Sequence, residues 1–197
     1  MRILAVADEQ AKKYYDYYQP GSLDEFDLIL ACGDLSKSYL EFLVTMAGCP
    51  LLYVRGNHDD QLIISPPEGC ICIEDRIYEY QGVRFLGLGG CLRYRPDGAN
   101  MYTEREMKRR IRRLGFQLWR KKGFDVLVTH AAAYGCGDLD THVHRGFNCF
   151  LDLIDRWHPA CMVHGHVHRN YGQDFAAVRQ YQDTRIINAC GYQVLEI

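Results

Sequence analysis

The stretch CMVHGHVH, Cys161–His168, leaves an apolar segment through histidines at alternate positions, His164, His166 and His168. Alternate residues of an extended chain share one face, so this corner offers imidazole and needs partners from elsewhere. Candidates stand just after other apolar runs: Asp8 after RILAVA, Asp34 after LILACG, Asn57, His58 and Asp59 after LLYVRG, and His130 after VLVT. In a largely parallel α/β sheet, ligands bind beyond the carboxyl ends of the strands. Five such ends here each deliver a carboxylate, an amide or an imidazole. Together these are donors for borderline divalent ions such as Mn, Fe, Zn or Co. Two ions roughly 3.5–4 Å apart need a carboxylate shared between them, and Asp34 is the candidate bridge.

The elements that must position these groups read as short β-rich runs. They fall at Arg2–Val6, Asp27–Ala31, Pro50–Val54, Arg76–Tyr80, Val83–Leu88, Asp125–Thr129, Ala160–His164, Arg185–Ala189 and Tyr192–Ile197. Several are apolar throughout, as strands covered on both faces are. Helix-length segments lie at Ser36–Ala47, Thr103–Lys122 and Phe147–Arg156. Thr103 and Glu106 form a capping box, and Met107, Ile111, Leu114 and Leu118 fall on one helical face. The order predicts an α/β architecture of two packed sheets with helices outside, closing on a hairpin-like terminal pair.

A chain of 197 residues, 48% hydrophobic and 24% charged, suits one domain over residues 1–197. The loop Ser65–Gly69 is too short to divide it. No charged-then-apolar leader pattern opens the sequence, and its apolar stretches are too short to cross a bilayer, so a cytoplasmic enzyme or binding protein is expected. Nine scattered cysteines read as reduced and mostly buried, with the Cys70/Cys72 pair as small apolar residues. A net charge of −2 argues against a general affinity for polyanions.

Gly33–Asp34 (GD), Gly56–Asp59 (GNHD), His130 and Gly165–His168 (GHVH) resemble, in kind and order, the calcineurin-like metallophosphoesterase family, in particular its small, uncapped, phosphodiesterase-like members. The resemblance runs from Asp8 to His168. It implies a four-layer sandwich of two mixed β-sheets flanked by helices, carrying two divalent ions, manganese foremost. Asp34 would bridge them, Asp8 and His168 would hold one, and Asn57, His130 and His166 the other. His58 would be no ligand but would stand beside the substrate phosphate as proton donor. The reaction implied is hydrolysis of a phosphate ester, a diester more than a monoester, by in-line attack of a metal-bridging hydroxide. A nucleotide is the substrate suggested by family analogy, with His144 and Arg145 as phosphate-side contacts.

One motif departs from the pattern. Where the family usually has Asp-X-His, this chain has Asp8-Glu9-Gln10. A glutamine carbonyl is a poorer donor than imidazole to borderline metals. Gln10 as a weak ligand, a site completed by water, and a single-ion protein all stay open; retention of two ions with altered affinity is the reading adopted. Glu9 is expected to point away from Asp8. The competing class is a non-catalytic scaffold of the same fold that binds a protein partner. Arg105–Lys122, with nine basic residues, reads as a solvated helical face rather than a nucleic-acid surface. Tyr14, Tyr15, Tyr17 and Tyr18 read as packing residues, His164 as a core residue, and Arg93 and Arg95 as loop cations.

Overall fold

Along β1 (Arg2–Ala7) the burial is continuous from Ile3 onwards, but successive side chains serve different layers. Ile3, Ala5 and Ala7 pack with Leu28 and Leu30 of β2 (Leu28–Ala31) and Leu52 of β3 (Leu51–Tyr53). Facing them are Phe85 of β6 (Val83–Leu88), Val126 and Val128 of β9 (Val126–Thr129), Cys161 and Val163 of β10 (Cys161–His164) and Ile187 of β12 (Thr184–Asn188). This is the core between two sheets. Leu4 and Val6 point the other way, onto Tyr39, Leu40 and Leu43 of α1 (Lys37–Ala47). On the far side, Leu86, Leu127, Met162 and Ile186 meet Met107 of α3 (Glu104–Arg113), Leu118 of α4 (Gly115–Lys121) and Phe150 and Leu153 of α5 (Asn148–Trp157). The strand period of two thus divides the apolar residues into a four-layer sandwich, helix on sheet on sheet on helix.

The computed structural model describes residues 1–168 and 176–197. The first sheet has the order β13-β1-β2-β3-β4, with β4 at Ile71–Cys72 and β13 at Gly191–Glu196. The second runs β11-β12-β10-β9-β6-β5, with β5 at Arg76–Tyr80 and β11 at Val178–Tyr181. Both are mixed. β1 to β4 are parallel and β13 antiparallel in one; β6, β9, β10 and β12 are parallel, with antiparallel β5 and β11, in the other. A two-stranded pair joins β7 (Cys91–Leu92) to β8 (Met101–Tyr102), and a short α2 spans Asp60–Ile64. None of the nine cysteines, all within the described residues, forms a disulfide. Among the described residues no helix is long and apolar enough to cross a membrane.

The final two runs are not a hairpin. β12 pairs with β10 and β11, while β13 crosses to the other sheet and pairs with β1 from Arg2↔Glu196 to Ala7↔Gly191. The reason lies in β12 itself: Ile186 faces the helices and Ile187 the inter-sheet core, so both its faces are buried and it needs a place inside a sheet. The predicted helix Thr103–Lys122 is likewise two helices meeting at Leu114. Its capping box is present, Thr103 Oγ1 accepting from the Glu106 N–H and the Glu106 side chain accepting from the Thr103 N–H. Tyr14 stacks edge-on against Phe26 and Tyr192, and Tyr15 and Tyr18 against Phe42, whereas Tyr17 is exposed to solvent and does not pack.

The cations of α3 do not all face water. Arg110 turns inward and donates to Glu74 Oε2 at 2.6 Å, Asp75 Oδ1 at 2.8 Å and the Gly89 carbonyl at 2.8 Å, its guanidinium lying 4.3 Å from the Tyr102 ring centroid. The Arg110 and Glu74 side chains are only 8% and 9% exposed. Removing one member of such a pair strands a buried charge. Arg110→Ala is therefore expected to lower unfolding free energy by about 3–5 kcal/mol in urea titration; a loss under about 1 kcal/mol would mean that the pair is solvated.

Candidate metal centre

Asp8, Asp34 and His166 each stand just past an apolar strand, and each has a left-handed backbone, with φ of 61°, 57° and 67°. For an L-residue with a Cβ this costs about 1–2 kcal/mol. Residues so strained persist only where their surroundings over-determine them, and here the hydrogen bonds doing so are visible. The His166 N–H donates to both Asp8 carboxylate oxygens, at 3.0 and 2.9 Å, and the Asp8 N–H donates to the Gly33 carbonyl at 3.1 Å. Asp59 Oδ2 accepts from the N–H groups of Asp34 (2.8 Å) and Gly56 (2.7 Å). The His58 N–H donates to Asp34 Oδ1 at 2.8 Å. GNHD thus works as a clamp on the Asp34 turn. Two glycines are obligatory: a Cβ at Gly56 would run into Asp34 Oδ1, and one at Gly165 would lie 2.6 Å from Asp8 Oδ2.

Asp34, His130 and His166 each present a donor atom within 4.8 Å of the others. Asn57 joins them, its Oδ1 3.0 Å from His130 Nε2, while its Nδ2 donates to the Tyr94 hydroxyl at 3.3 Å. Both imidazoles are oriented by main-chain carbonyls, which can only accept. His130 Nδ1 faces the Cys32 carbonyl at 2.8 Å and His166 Nε2 the Val143 carbonyl at 2.9 Å. Each ring is thereby fixed with one nitrogen committed and the other available to the centre, as second-shell partners of ligating histidines do. Three carbonyl or carboxylate oxygens around His130, counting Asp34 Oδ2 at 3.3 Å, make a field suited to a cation.

The electrostatics record that field. Burial alone would depress the His130 pKa, but the Asp34 and Asp8 carboxylates and the Cys32 carbonyl outweigh it and raise it to about 9. Burial would raise Asp34, yet His130 and the His58 N–H hold it down to about 2. His166 is pushed down to about 3 by burial and by the charge on His130. Burial raises Asp8 despite His130 and His168, and raises Asp59 to about 6 despite the N–H groups of Gly56 and Asp34. Carboxylate, amide and imidazole at these separations fit a borderline divalent ion.

Around Asp8 a second set of groups gathers. His168 Nε2 lies 3.9 Å from Asp8 Oδ1, and His168 Nδ1 lies 3.6 Å from Glu9 Oε1. The orientation expected for Glu9 is therefore corrected. The positive φ of Asp8 and a Glu9 N–H to Ala7 carbonyl bond of 2.6 Å close a three-residue turn, which breaks the extended alternation and swings Glu9 toward His168. Gln10 lines the same cleft as Asp8 and Asp34, about 510 Å³ in volume, but its amide donates to Ser36 Oγ, the α1 cap, at 3.1 Å.

Of the two phosphate-side candidates, His144 comes close, its ring centroid 5.3 Å from that of His166 and its Nδ1 3.0 Å from Thr141 Oγ1. Arg145 instead lies over the Tyr134 ring at 5.3 Å, with Asp140 4.0 Å away. Arg93 pairs with Glu106 at 3.0 Å, and Arg95 lies 5.9 Å from the Tyr94 ring. His164 is buried, with Nδ1 2.9 Å from the Gly165 carbonyl. Tyr94 and the Val143 carbonyl carry no mark in the sequence, where neither belongs to a motif, and the clamp role of Asp59 emerges only in the folded chain.

Two mixed sheets whose parallel strands end in carboxylates, an amide and imidazoles form a candidate metal centre. Residues 1–170 match the calcineurin-like phosphoesterase family, and the chain belongs to that family. The chain is also similar to the uncharacterised protein MJ1162 of Methanocaldococcus jannaschii, 25% identical over 190 residues that cover 86% of this chain and 81% of that protein. One crystal structure superposes over 98% of this chain and 94% of its own, with a TM-score of 0.72 and 13% identity. The crystal structure of TT1561 of Thermus thermophilus covers 96% of this chain and 88% of its own, with a TM-score of 0.60 and 14% identity.

The Asp59 clamp generates a test. Asp59→Ala frees the Asp34 turn without touching a ligand, so Mn²⁺ affinity, read by competition with a fluorescent chelator, is expected to fall about 10–100-fold. Unchanged affinity would show that Asp34 holds its position unaided.

Proposed function

We propose that this protein hydrolyses phosphodiesters in preference to phosphomonoesters, with two divalent ions as cofactors and His58 as proton donor. The observation that carries this reading is the approach of Asp34, His130 and His166 donors to within 4.8 Å of one another, with His58 tethered to the same Asp34. Asp34 would be shared, Asn57, His130 and His166 would hold one ion, and Asp8 and His168 the other. Bound there, the ions would lower the pKa of water from ~15.7 toward ~7 and neutralise phosphate oxygens.

The residues themselves account for orientation and proton transfer. The main chain of His58 is fixed by its bond to Asp34 Oδ1, while its side chain lies exposed, placed to protonate a departing alkoxide. Proton transfer of this kind contributes typically ~10²–10⁴-fold. His144, beside His166, is placed to hydrogen-bond a non-bridging oxygen; Arg145 would have to leave Tyr134 to do the same. The cleft beside Asp8 and Asp34 is lined by Glu9, Gln10, Lys12, Asp16, Leu35 and Ser36; the diester preference follows the resemblance to the small, uncapped members of the family. The working unit is a single domain spanning residues 1–197, cytoplasmic, with a nucleotide as the suggested substrate type.

With Mn²⁺ added, bis-(p-nitrophenyl) phosphate is expected to give the higher kcat/KM and p-nitrophenyl phosphate the lower; the reverse order would contradict the diester assignment. His58→Ala should retain its bound manganese and lose about 10²–10⁴-fold in kcat. Undiminished turnover would remove His58 from the reaction. Metal binding with no turnover of either ester would favour the scaffold reading.

A further inference from the structure

We infer that Glu9, His168 and Cys190 form one ion position of this chain, beside Asp8, giving a mixed oxygen, nitrogen and sulfur site for a thiophilic divalent ion such as Zn²⁺ or Co²⁺. This rests on the proposed two-ion reading and changes one of its two positions. Glu9, His168 and Cys190 each offer a ligand atom within 4.8 Å of the others. The carboxylate of Asp8, fully buried, lies 3.9 Å from the same imidazole. Glu9, His168 and Cys190 thus bring a carboxylate, an imidazole and a thiol around one point, with Glu9 on the Nδ1 edge of the ring and Asp8 on its Nε2 edge.

Two features of the backbone build the set. The turn at Asp8 presents Glu9 to His168, as described above. The crossing from β12 to β13 brings Cys190 alongside Ala7, with which it forms an isolated bridge, so the strand change between sheets sets the thiol beside the Asp8–Glu9 turn. Asn188 ties the corner down. Its Oδ1 accepts the Cys190 N–H at 2.9 Å and its Nδ2 donates to the Val167 carbonyl at 2.8 Å, linking the cysteine to the loop that carries His166 and His168.

The donor chemistry selects the ion. Thiolate is a soft ligand that suits zinc and its spectroscopic substitute cobalt, whereas manganese and magnesium favour oxygen. On binding, the Cys190 thiol releases its proton to solvent and the sulfur donates its electron pair to the cation. The other position, with Asp34, Asn57, His130 and His166, has no sulfur. The two positions are therefore chemically unequal, and the loss of the usual histidine at Gln10 is offset by groups from the preceding residue and from the far end of the chain.

Titration of the metal-free protein with Co²⁺ tests the assignment by absorption rather than by turnover. The intact chain is expected to develop a sulfur-to-cobalt charge-transfer band in the near ultraviolet. Cys190→Ser should lose the band and one equivalent of cobalt while keeping ligand-field absorption from the other position. Glu9→Gln, an exposed change that leaves the core untouched, should keep the band but need about 100-fold more cobalt to reach it. Cobalt bound without a charge-transfer band, or a band that survives Cys190→Ser, would overturn the assignment and leave the phosphoesterase reading intact. Absence of all cobalt binding would overturn both.

Discussion

Buried negative charge at the end of an apolar sandwich is the constraint on which the rest of the structure depends. Asp8 and Asp34 follow two strands that are apolar from Ile3 to Ala7 and from Leu28 to Ala31, and an uncompensated carboxylate there would be expensive. Compensation comes from main-chain N–H groups of His166 and His58, from the His130 imidazole and from the turn that Asp59 braces. Three left-handed residues are retained because these bonds hold them. The same arrangement concentrates acceptors around one small volume, which is also what binding divalent cations demands. Fold stability and ion affinity share their interactions at this point.

The topology explains why the groups can meet. Within each sheet the central strands run parallel, so their carboxyl ends collect along one edge. The bond from His130 Nδ1 to the Cys32 carbonyl shows that the two edges lie together. Long-range pairing then adds what local sequence cannot: β13 returns to β1 and carries the segment with Cys190 to the first strand end. The proposed first ion position is a product of that return.

Most strands and the main donor set are legible in the sequence because their signals are local. An apolar run ending in Asp, Asn or His reads the same in one dimension as in three, and GNHD and GHVH are compact enough to be read as units. What escapes depends on partners far away in the chain. Arg110 reads as one solvated cation among nine, but its partners Glu74 and Asp75 come from a loop more than thirty residues earlier. The last two strands read as a hairpin because their separation is short, yet burial of both faces of β12 sends them to different sheets. Glu9 departs from its expected direction because strand alternation ends one residue earlier, at the left-handed Asp8. Tyr94, which orients Asn57, carries no local mark at all.

The central claim is that two ions share Asp34. Anomalous diffraction from a crystal grown with saturating Co²⁺, an ion suited to both proposed donor sets, measures this directly. The expected result is two peaks roughly 3.5–4 Å apart, each within bonding distance of the Asp34 carboxylate, one also against Asn57, His130 and His166 and the other against Asp8 and His168. A single peak, or two ions neither of which touches Asp34, would contradict it.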